Sequence, residues 1–181
     1  MIPFPNKKYK IIYADPPWNG LGYNNGSGLR CPARHYEVQD TDWICNLPVA
    51  TMCDTDCALL LWVTFPNLPD GLKVMAAWGF KYATCAFTWI KQNKVADTLF
   101  IGCGNYTRAN AEICLLGTKG NMQRLVKSHS VRQVCVSKLQ YHSKKPDEIR
   151  DRIVQLFGDI PRIELFARQK VEGWDCWGDE V

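Results

Sequence analysis

The tetrapeptide Asp15-Pro16-Pro17-Trp18 is the segment whose residue types best suit chemistry on a small polar group. Its two prolines fix the backbone and remove two amide donors, which leaves carbonyl acceptors beside a carboxylate. Asp15 and the Pro16 carbonyl could each accept one hydrogen of an exocyclic amine, directing the nitrogen lone pair towards a methyl carbon. Trp18 could stack on a base taken out of its helix. The alternative is a strand-to-turn junction with a core tryptophan.

The surrounding sequence predicts the strands and helices that would position this tetrapeptide. An apolar run over 9–14 stops at Asp15 and predicts a buried strand. Further strands are expected over 58–64, 80–91, 111–118, 134–137 and 163–167. Helices are expected from Asp42, capped by Thr41, and over 68–78 and 146–157. Strands separated by helices are typical of an α/β sheet covered on both faces, which binds ligands at the carboxyl ends of its strands.

Composition excludes several other classes of protein. The 181 residues are 46% hydrophobic, which is too apolar for a disordered chain. No apolar run reaches the roughly 18 residues that a membrane span needs, and the proline-containing start is unlike a signal peptide. The nine cysteines include no CxxC pair, so we predict no metal site. We expect one domain over 1–181, in a reducing compartment.

Several separate blocks of the sequence carry a family resemblance. They are YKIIYADPPW, CALLLWVT, AEICLLGTKG, HSKKPDEIRDRIVQLFG and IELFARQKVEGWDCWGDE. In this order they resemble the DPPW-type (MT-A) adenine N6-methyltransferases. The resemblance implies a Rossmann-like methyltransferase fold with a mostly parallel sheet, in which the catalytic segment precedes the cofactor segment. It also implies S-adenosylmethionine as the cofactor.

The resemblance implies a set of cofactor-binding residues. Lys145 matches the family's contact to the methionine carboxylate, although a solvated lysine at a helix start is the alternative. Asp15 would lie near the sulfonium. The remaining matches are Phe166, Arg168, Asp179 and Glu180. Many relatives have Asn in place of Asp179, and either side chain can accept a ribose hydroxyl proton.

Substrate-binding residues are also implied. Tyr36 matches an aromatic residue that lines the family's site, and Asn110 and Glu112 match a polar motif that faces it. A carboxylate that opens a buried strand needs a partner, and Arg108 is the nearest cation in sequence. A core tyrosine and a structural ion pair are the alternatives.

Charge is unevenly distributed along this slightly basic chain. The net charge is +4, and no acid occurs from Ile113 to Pro146. We expect the basic loop that carries Lys127 and Arg132 to lie beside the tetrapeptide and to contact phosphates. A solvated basic surface is the alternative.

The sequence therefore predicts an S-adenosylmethionine-dependent adenine N6-methyltransferase. DNA is favoured over RNA because the chain looks like a compact bacterial or phage-like member, acting in the cytoplasm of a bacterial or phage-infected cell. The partner would be nucleic acid, with no membrane, and a homodimer is one assembly to test. RNA adenine, cytosine N4 and a catalytically silent nucleic-acid-binding subunit are the alternatives.

Overall fold

A computed structural model describes residues 3–19, 39–104, 106–141 and 143–181. The strands are β1 (Tyr9–Ala14), β2 (Cys53–Val63), β3 (Lys81–Gln92), β4 (Ala111–Lys119), β5 (Val134–Lys138), β6 (Arg162–Leu165) and β7 (Asp175–Trp177). The helices are α1 (Thr41–Cys45), α2 (Leu68–Ala77) and α3 (Glu148–Phe157), with 3-10 turns at Val49–Met52 and Met122–Leu125. No helix among these residues is long and apolar enough to cross a membrane.

The described strands form one sheet in the order β5-β3-β4-β2-β1-β6-β7. β1 is parallel to β2 and to β6, and β6 is parallel to β7. β4 is antiparallel to both of its neighbours, while β5 is parallel to β3. All strands except β4 therefore point the same way, so the predicted mostly parallel α/β sheet is confirmed.

Helices cover both faces of the sheet. On one face, Ile44 of α1 and Val74 and Met75 of α2 pack in a core with alternate residues of β1 and β2. On the other face, Ile149 and Ile153 of α3 pack in a second core. Strands buried on both sides read as continuous apolar runs, which is why β1 and β2 were predictable.

An ion pair joins α3 to β6. The Arg150 guanidinium donates from Nε and Nη2 to the two oxygens of Glu164, over 2.7 and 2.8 Å. Both side chains are largely buried, and the guanidinium also lies over the Tyr13 ring of β1. This fork-shaped contact fixes the helix against the strand whose end carries the predicted cofactor segment.

Several element boundaries differ from those predicted. The side chain of Asp40, rather than Thr41, caps α1 by accepting the Trp43 amide hydrogen at 2.6 Å. Pro146 does not begin α3, which starts at Glu148. The sequence did not predict β7, whose three residues are too few to show a pattern.

Replacing Arg150 with Leu should lower the free energy of unfolding by about 3–5 kcal/mol, because Glu164 would stay buried without its partner. Replacing both residues with Leu should recover much of that loss, since the buried charge is then gone. Urea denaturation of both variants measures this. A loss below about 1 kcal/mol for the single variant, or no recovery in the double variant, would contradict the assigned role.

Candidate active site

The carboxyl edge of the sheet holds a cleft of about 1740 Å³. Asp15 follows β1, Thr64 follows β2, Phe166 follows β6 and Gly178 follows β7, so the ends of four parallel strands open into it. Because β4 runs in the opposite direction, its first residues, and not its last, line the cleft. The predicted site residues that line the cleft are Asp15, Pro16, Pro17, Trp18, Arg108, Asn110, Glu112, Lys145, Phe166, Arg168, Asp179 and Glu180.

A chain of alternating charges lies at the centre of the cleft. The Lys145 ammonium donates to Asp15 Oδ2 at 2.7 Å and lies 3.3 Å from Glu112 Oε2. The Lys91 ammonium contacts the other oxygen of Glu112. Lys145 also lies over the Trp62 ring, with its nitrogen 5.6 Å from the ring centroid. Lys145 is therefore a buried member of the site and not a solvated lysine.

The partners of Glu112 differ from the predicted one. Lys91 and Lys145 neutralise this carboxylate, whereas Arg108 is exposed and makes no ion pair with a described residue. The backbone amide of Lys91 donates to the Asn110 carbonyl at 2.9 Å, so β3 supplies the cation across its pairing with β4.

Burial and pairing shift the pKa values of this charge chain. Burial works to raise the pKa of Glu112, but the Lys145 and Lys91 ammonium groups outweigh it and lower the pKa to about 2. Burial raises the pKa of Asp15 above its ordinary value, against the opposing effect of Lys145. Burial favours neutral Lys145, yet its two carboxylate partners hold its pKa above the ordinary range. Of the two carboxylates in this charge chain, Asp15 therefore takes up a proton more readily than Glu112.

The tetrapeptide is rigid and partly engaged by its own fold. The Pro16 carbonyl accepts the Trp18 amide hydrogen at 2.8 Å, and the Pro17 carbonyl accepts that of Gln39 at 2.9 Å. The Trp18 indole donates to the Trp62 carbonyl at 2.8 Å and leaves 8% of the residue exposed. Most of this ring is buried in the core, so little of its surface is open to a base. Base stacking by Trp18 stays a prediction.

The two predicted cofactor segments lie side by side. The Ala167 amide donates to the Trp177 carbonyl at 3.0 Å, and the Arg168 guanidinium donates to Glu180 at 2.8 Å. A side chain at Gly178 would bring its Cβ within 2.5 Å of the Ala167 carbonyl oxygen, so only glycine allows this approach. Phe166, beside this contact, has a φ of 59°.

The structure does not bring the whole acid-free segment from Ile113 to Pro146 to this cleft. The prediction that this segment lies beside Asp15 is wrong for its first half. Because β4 is antiparallel, the chain leaves it at the amino edge, where Lys119 pairs with Cys57 of β2. Lys127 follows there, whereas Arg132 comes just before β5, whose Val134 pairs with Thr88 in the second half of β3. Neither residue lines the cleft. Only the second half, from Lys138, returns to the carboxyl edge. Tyr36 lies outside the described residues.

Several cleft residues escaped sequence reasoning. Lys91 ends a predicted strand at the same edge as Asp15, so its position gave a usable signal. Phe65 and Tyr141 are 52% and 83% exposed and line the cleft, where they offer more aromatic surface than Trp18. Among the described residues, no group of three or more His, Cys, Asp or Glu could hold a metal ion.

The sheet order, the helices on both faces and the charged cleft at the carboxyl edge define a Rossmann-like α/β methyltransferase fold. The MT-A70 family model matches residues 9–180. The chain belongs to the MT-A70 family, whose members are adenine N6-methyltransferases that use S-adenosylmethionine. The predicted family, enzyme class and cofactor are thereby confirmed.

Curated relatives include proteins of different lengths. The type II methyltransferase M.MunI of Mycoplasma sp. is 31% identical, and the alignment covers 98% of this chain and 79% of that protein. The N(6)-adenosine-methyltransferase catalytic subunit METTL3 of Homo sapiens is 30% identical, with 89% and 26% covered. A probable MT-A70-like N(6)-adenosine-methyltransferase of Oryza sativa is 28% identical, with 96% and 23% covered. The chain thus spans about a quarter of the latter two proteins.

Replacing Lys91 with Gln should raise the pKa of Glu112 from about 2 by about 1 to 3, because one of its two cationic partners is lost. The folded pKa lies below the ordinary 4.5, so ionised Glu112 stabilises the fold above that pH. This stabilisation of the fold is lost as the pH falls towards 2, and it should be smaller in the Lys91→Gln variant than in the wild-type protein. Carbon-13 NMR of the glutamate carboxyls over an acid titration measures the pKa.

Lys94→Gln is the matched control for this titration. Lys94 also lines the cleft but makes no ion pair with a described residue, so its loss should leave the pKa of Glu112 unchanged. Equal shifts of the Glu112 pKa in the two variants would show that Glu112 responds to the overall positive charge of the cleft and not to its contact with Lys91.

Proposed function

We propose that this protein transfers the methyl group of S-adenosylmethionine to the N6 amine of adenine in DNA. The observation that carries the proposal is the position of Asp15, a half-buried carboxylate held by Lys145 in a cleft that can take both reactants. DNA is favoured because the similarity covers most of a type II methyltransferase. RNA adenine is the second candidate, supported by the N(6)-adenosine-methyltransferases among the relatives.

The chemistry of the cleft fits S-adenosylmethionine, which supplies an electrophilic methyl group on a sulfonium when bound. Lys145 offers a positive charge for the carboxylate of its methionine part, and Asp15 offers a negative charge beside the sulfonium. Phe166 packs edge-on against Trp177, with ring centroids 5.5 Å apart, and lies beside the Arg168–Glu180 ion pair. This end of the cleft offers apolar surface and hydrogen-bonding groups for a nucleoside.

Asp15 is also suited to orient the substrate amine. Lys145 contacts Oδ2, and no described residue donates to Oδ1, so one oxygen can still accept an amine hydrogen. The Pro16 carbonyl holds one donor and has a second lone pair for the other amine hydrogen. With both hydrogens held, the nitrogen lone pair faces away from the tetrapeptide, towards the incoming methyl group.

The reaction needs no strong base, because the amine becomes far more acidic once it carries the methyl group. Burial raises the pKa of Asp15, so this carboxylate is a better proton acceptor than a solvated aspartate. Lys145 and Glu112 hold it in place. Catalysis would therefore rest mainly on orientation and on the exclusion of water.

We further propose that Tyr141 and Phe65, rather than Trp18, supply the stacking surface for the extruded base. Both aromatic residues line the cleft with open surface, and stacking is worth about 1–3 kcal/mol per base. Action in the cytoplasm of a bacterial or phage-infected cell fits the similarity to a Mycoplasma enzyme. Assembly as a homodimer stays a prediction.

Incubating the protein with methyl-labelled S-adenosylmethionine and pools of DNA or RNA, followed by digestion to nucleosides, tests the proposed function. We expect label on N6-methyl-deoxyadenosine. Asp15→Ala should lower kcat about 100-fold or more, because the amine loses its orienting acceptor. Asp70→Ala, which removes an acid in the first turn of α2 that does not line the cleft, should keep normal activity.

Other labelling outcomes separate the alternatives. Label on the ribonucleoside would move the substrate to RNA, and label on N4-methyl-deoxycytidine would move it to cytosine. No label on any pool, together with an unaltered nucleic-acid affinity for Asp15→Ala, would favour a silent binding subunit.

Tyr141→Ala should raise the KM for DNA about 5- to 150-fold, which corresponds to the loss of one stacked base. Tyr82→Ala is the matched control, because Tyr82 is also exposed but lies at the start of β3, at the opposite edge of the sheet. Steady-state kinetics with a short duplex measures both. Equal KM values for the two variants would exclude Tyr141 as a stacking surface.

A further inference from the structure

Asn67 is a buried polar residue of the cleft to which the proposed reaction assigns no role. It lies in the turn between β2 and α2, lines the cleft and is 3% exposed. Burying an amide group is costly unless its donor and its acceptor both find partners. The partners of Asn67 therefore show what this side chain holds in place.

The Asn67 side chain joins the turn after β2 to the chain that leaves the tetrapeptide. Its Oδ1 accepts the Thr64 hydroxyl hydrogen at 2.7 Å, and its Nδ2 donates to the Asn19 carbonyl at 3.1 Å. Asn19 directly follows Trp18, whose indole donates to the Trp62 carbonyl of β2. The carboxyl end of β2 and the turn that follows it therefore hold the end of the tetrapeptide at two points.

Helix capping does not explain this side chain. Asn67 is the residue before the first turn of α2, where an asparagine side chain commonly accepts a hydrogen bond from a backbone amide of the helix. Here the side chain makes no such capping hydrogen bond. The backbone carbonyl of Asn67 takes part in the helix by accepting the Gly71 amide hydrogen at 2.8 Å. The amide group of the side chain is thus engaged outside the helix.

Close packing of α2 on β2 sets the position of Asn67. A Cβ at Gly71 would collide with Cγ1 of Val63, so glycine lets the first turn of the helix approach this strand. Val63 ends β2 and is buried. The Thr64 carbonyl accepts the Asn67 amide hydrogen at 3.1 Å, which closes the turn. The side chain of Asn67 is therefore presented to the cleft on a fixed frame.

We propose that Asn67 is a positioning residue that fixes the direction of the Pro16 carbonyl through the backbone of Asn19. This inference rests on the proposed function, in which the Pro16 carbonyl accepts one hydrogen of the substrate amine. The ring of Pro17 fixes its φ, and the Trp18 amide donates to the Pro16 carbonyl, so these residues move as a unit. The contact at Asn19 sets the direction of that unit. Without it, the amine would be aligned less often for in-line transfer.

Two substitutions remove the donor of Asn67 and leave different side chains. Asn67→Asp keeps the size of the side chain and an acceptor for Thr64, whereas Asn67→Ser adds no charge. Both should lower kcat for methyl transfer about 10- to 100-fold, because a displacement of about 1 Å has that effect on an aligned reaction. The Kd for S-adenosylmethionine, measured by calorimetry, should stay unchanged. Asn46→Asp makes the same change at the exposed residue that follows α1, outside the cleft, and should keep normal activity.

Hydrogen exchange of single backbone amides, followed by NMR, separates a positioning role from a general effect on the fold. The Trp18 and Gln39 amides both donate to carbonyls of the tetrapeptide. In both Asn67 variants they should exchange about 5-fold faster, which corresponds to the loss of one hydrogen bond of ordinary strength. The Gly71 amide should keep its wild-type exchange rate, because the start of α2 does not depend on the Asn67 side chain.

Three results would overturn the proposal. They are an unchanged kcat in both Asn67 variants, a loss of activity confined to the charged Asn67→Asp, and exchange of the Gly71 amide that speeds up as much as that of Trp18. The last result would show that Asn67 has only a structural role. A wild-type protein that methylates no nucleic acid would overturn the proposed function instead. The exchange rates of the Trp18 and Gln39 amides would then still decide whether Asn67 holds the tetrapeptide.

Discussion

The contact between Asp15 and Lys145 is the constraint on which the rest of the site depends. A carboxylate at the end of a strand buried on both faces is costly unless a cation meets it. Lys145 provides that cation from 130 residues further along the chain. Because Glu112 and Lys91 continue the alternation, the buried charges balance, and β1, β3 and β4 are held at the same edge. The charge chain therefore stabilises the fold at the candidate active site.

Lys145 also couples the tetrapeptide 15–18 to the segment that is predicted to bind the cofactor. It lies just before α3, and Arg150 of that helix holds Glu164 of β6. A shift of α3 would move the Lys145 ammonium away from Asp15 and would at the same time move β6, the strand that Phe166 follows. The methyl donor and the amine acceptor can thus be aligned by one helix, which matters because an in-line transfer depends on position more than on strong acids or bases.

The sequence was informative where burial alone decides structure. The apolar run of β1 and the spaced isoleucines of α3 predicted these elements closely, whereas β2 begins at Cys53, five residues before its predicted start. The family resemblance pointed to Asp15, Lys145 and Glu112, which all line the cleft. Tertiary contacts decided the features that were missed. The cap of α1 and the partner of Glu112 depend on where side chains meet, and Trp18 became a core residue because the Trp62 carbonyl takes its indole hydrogen.

The direction of β4 explains the largest error. Residue patterns cannot distinguish a parallel from an antiparallel buried strand, because both are apolar runs. Reversing this one strand moves the chain that follows it to the opposite edge of the sheet. The acid-free stretch is thereby divided: Lys145 neutralises carboxylates of the cleft, whereas Lys119 and Lys127 lie at the opposite edge of the sheet. The direction of one strand therefore determines which cations of a single charge pattern lie at the cleft.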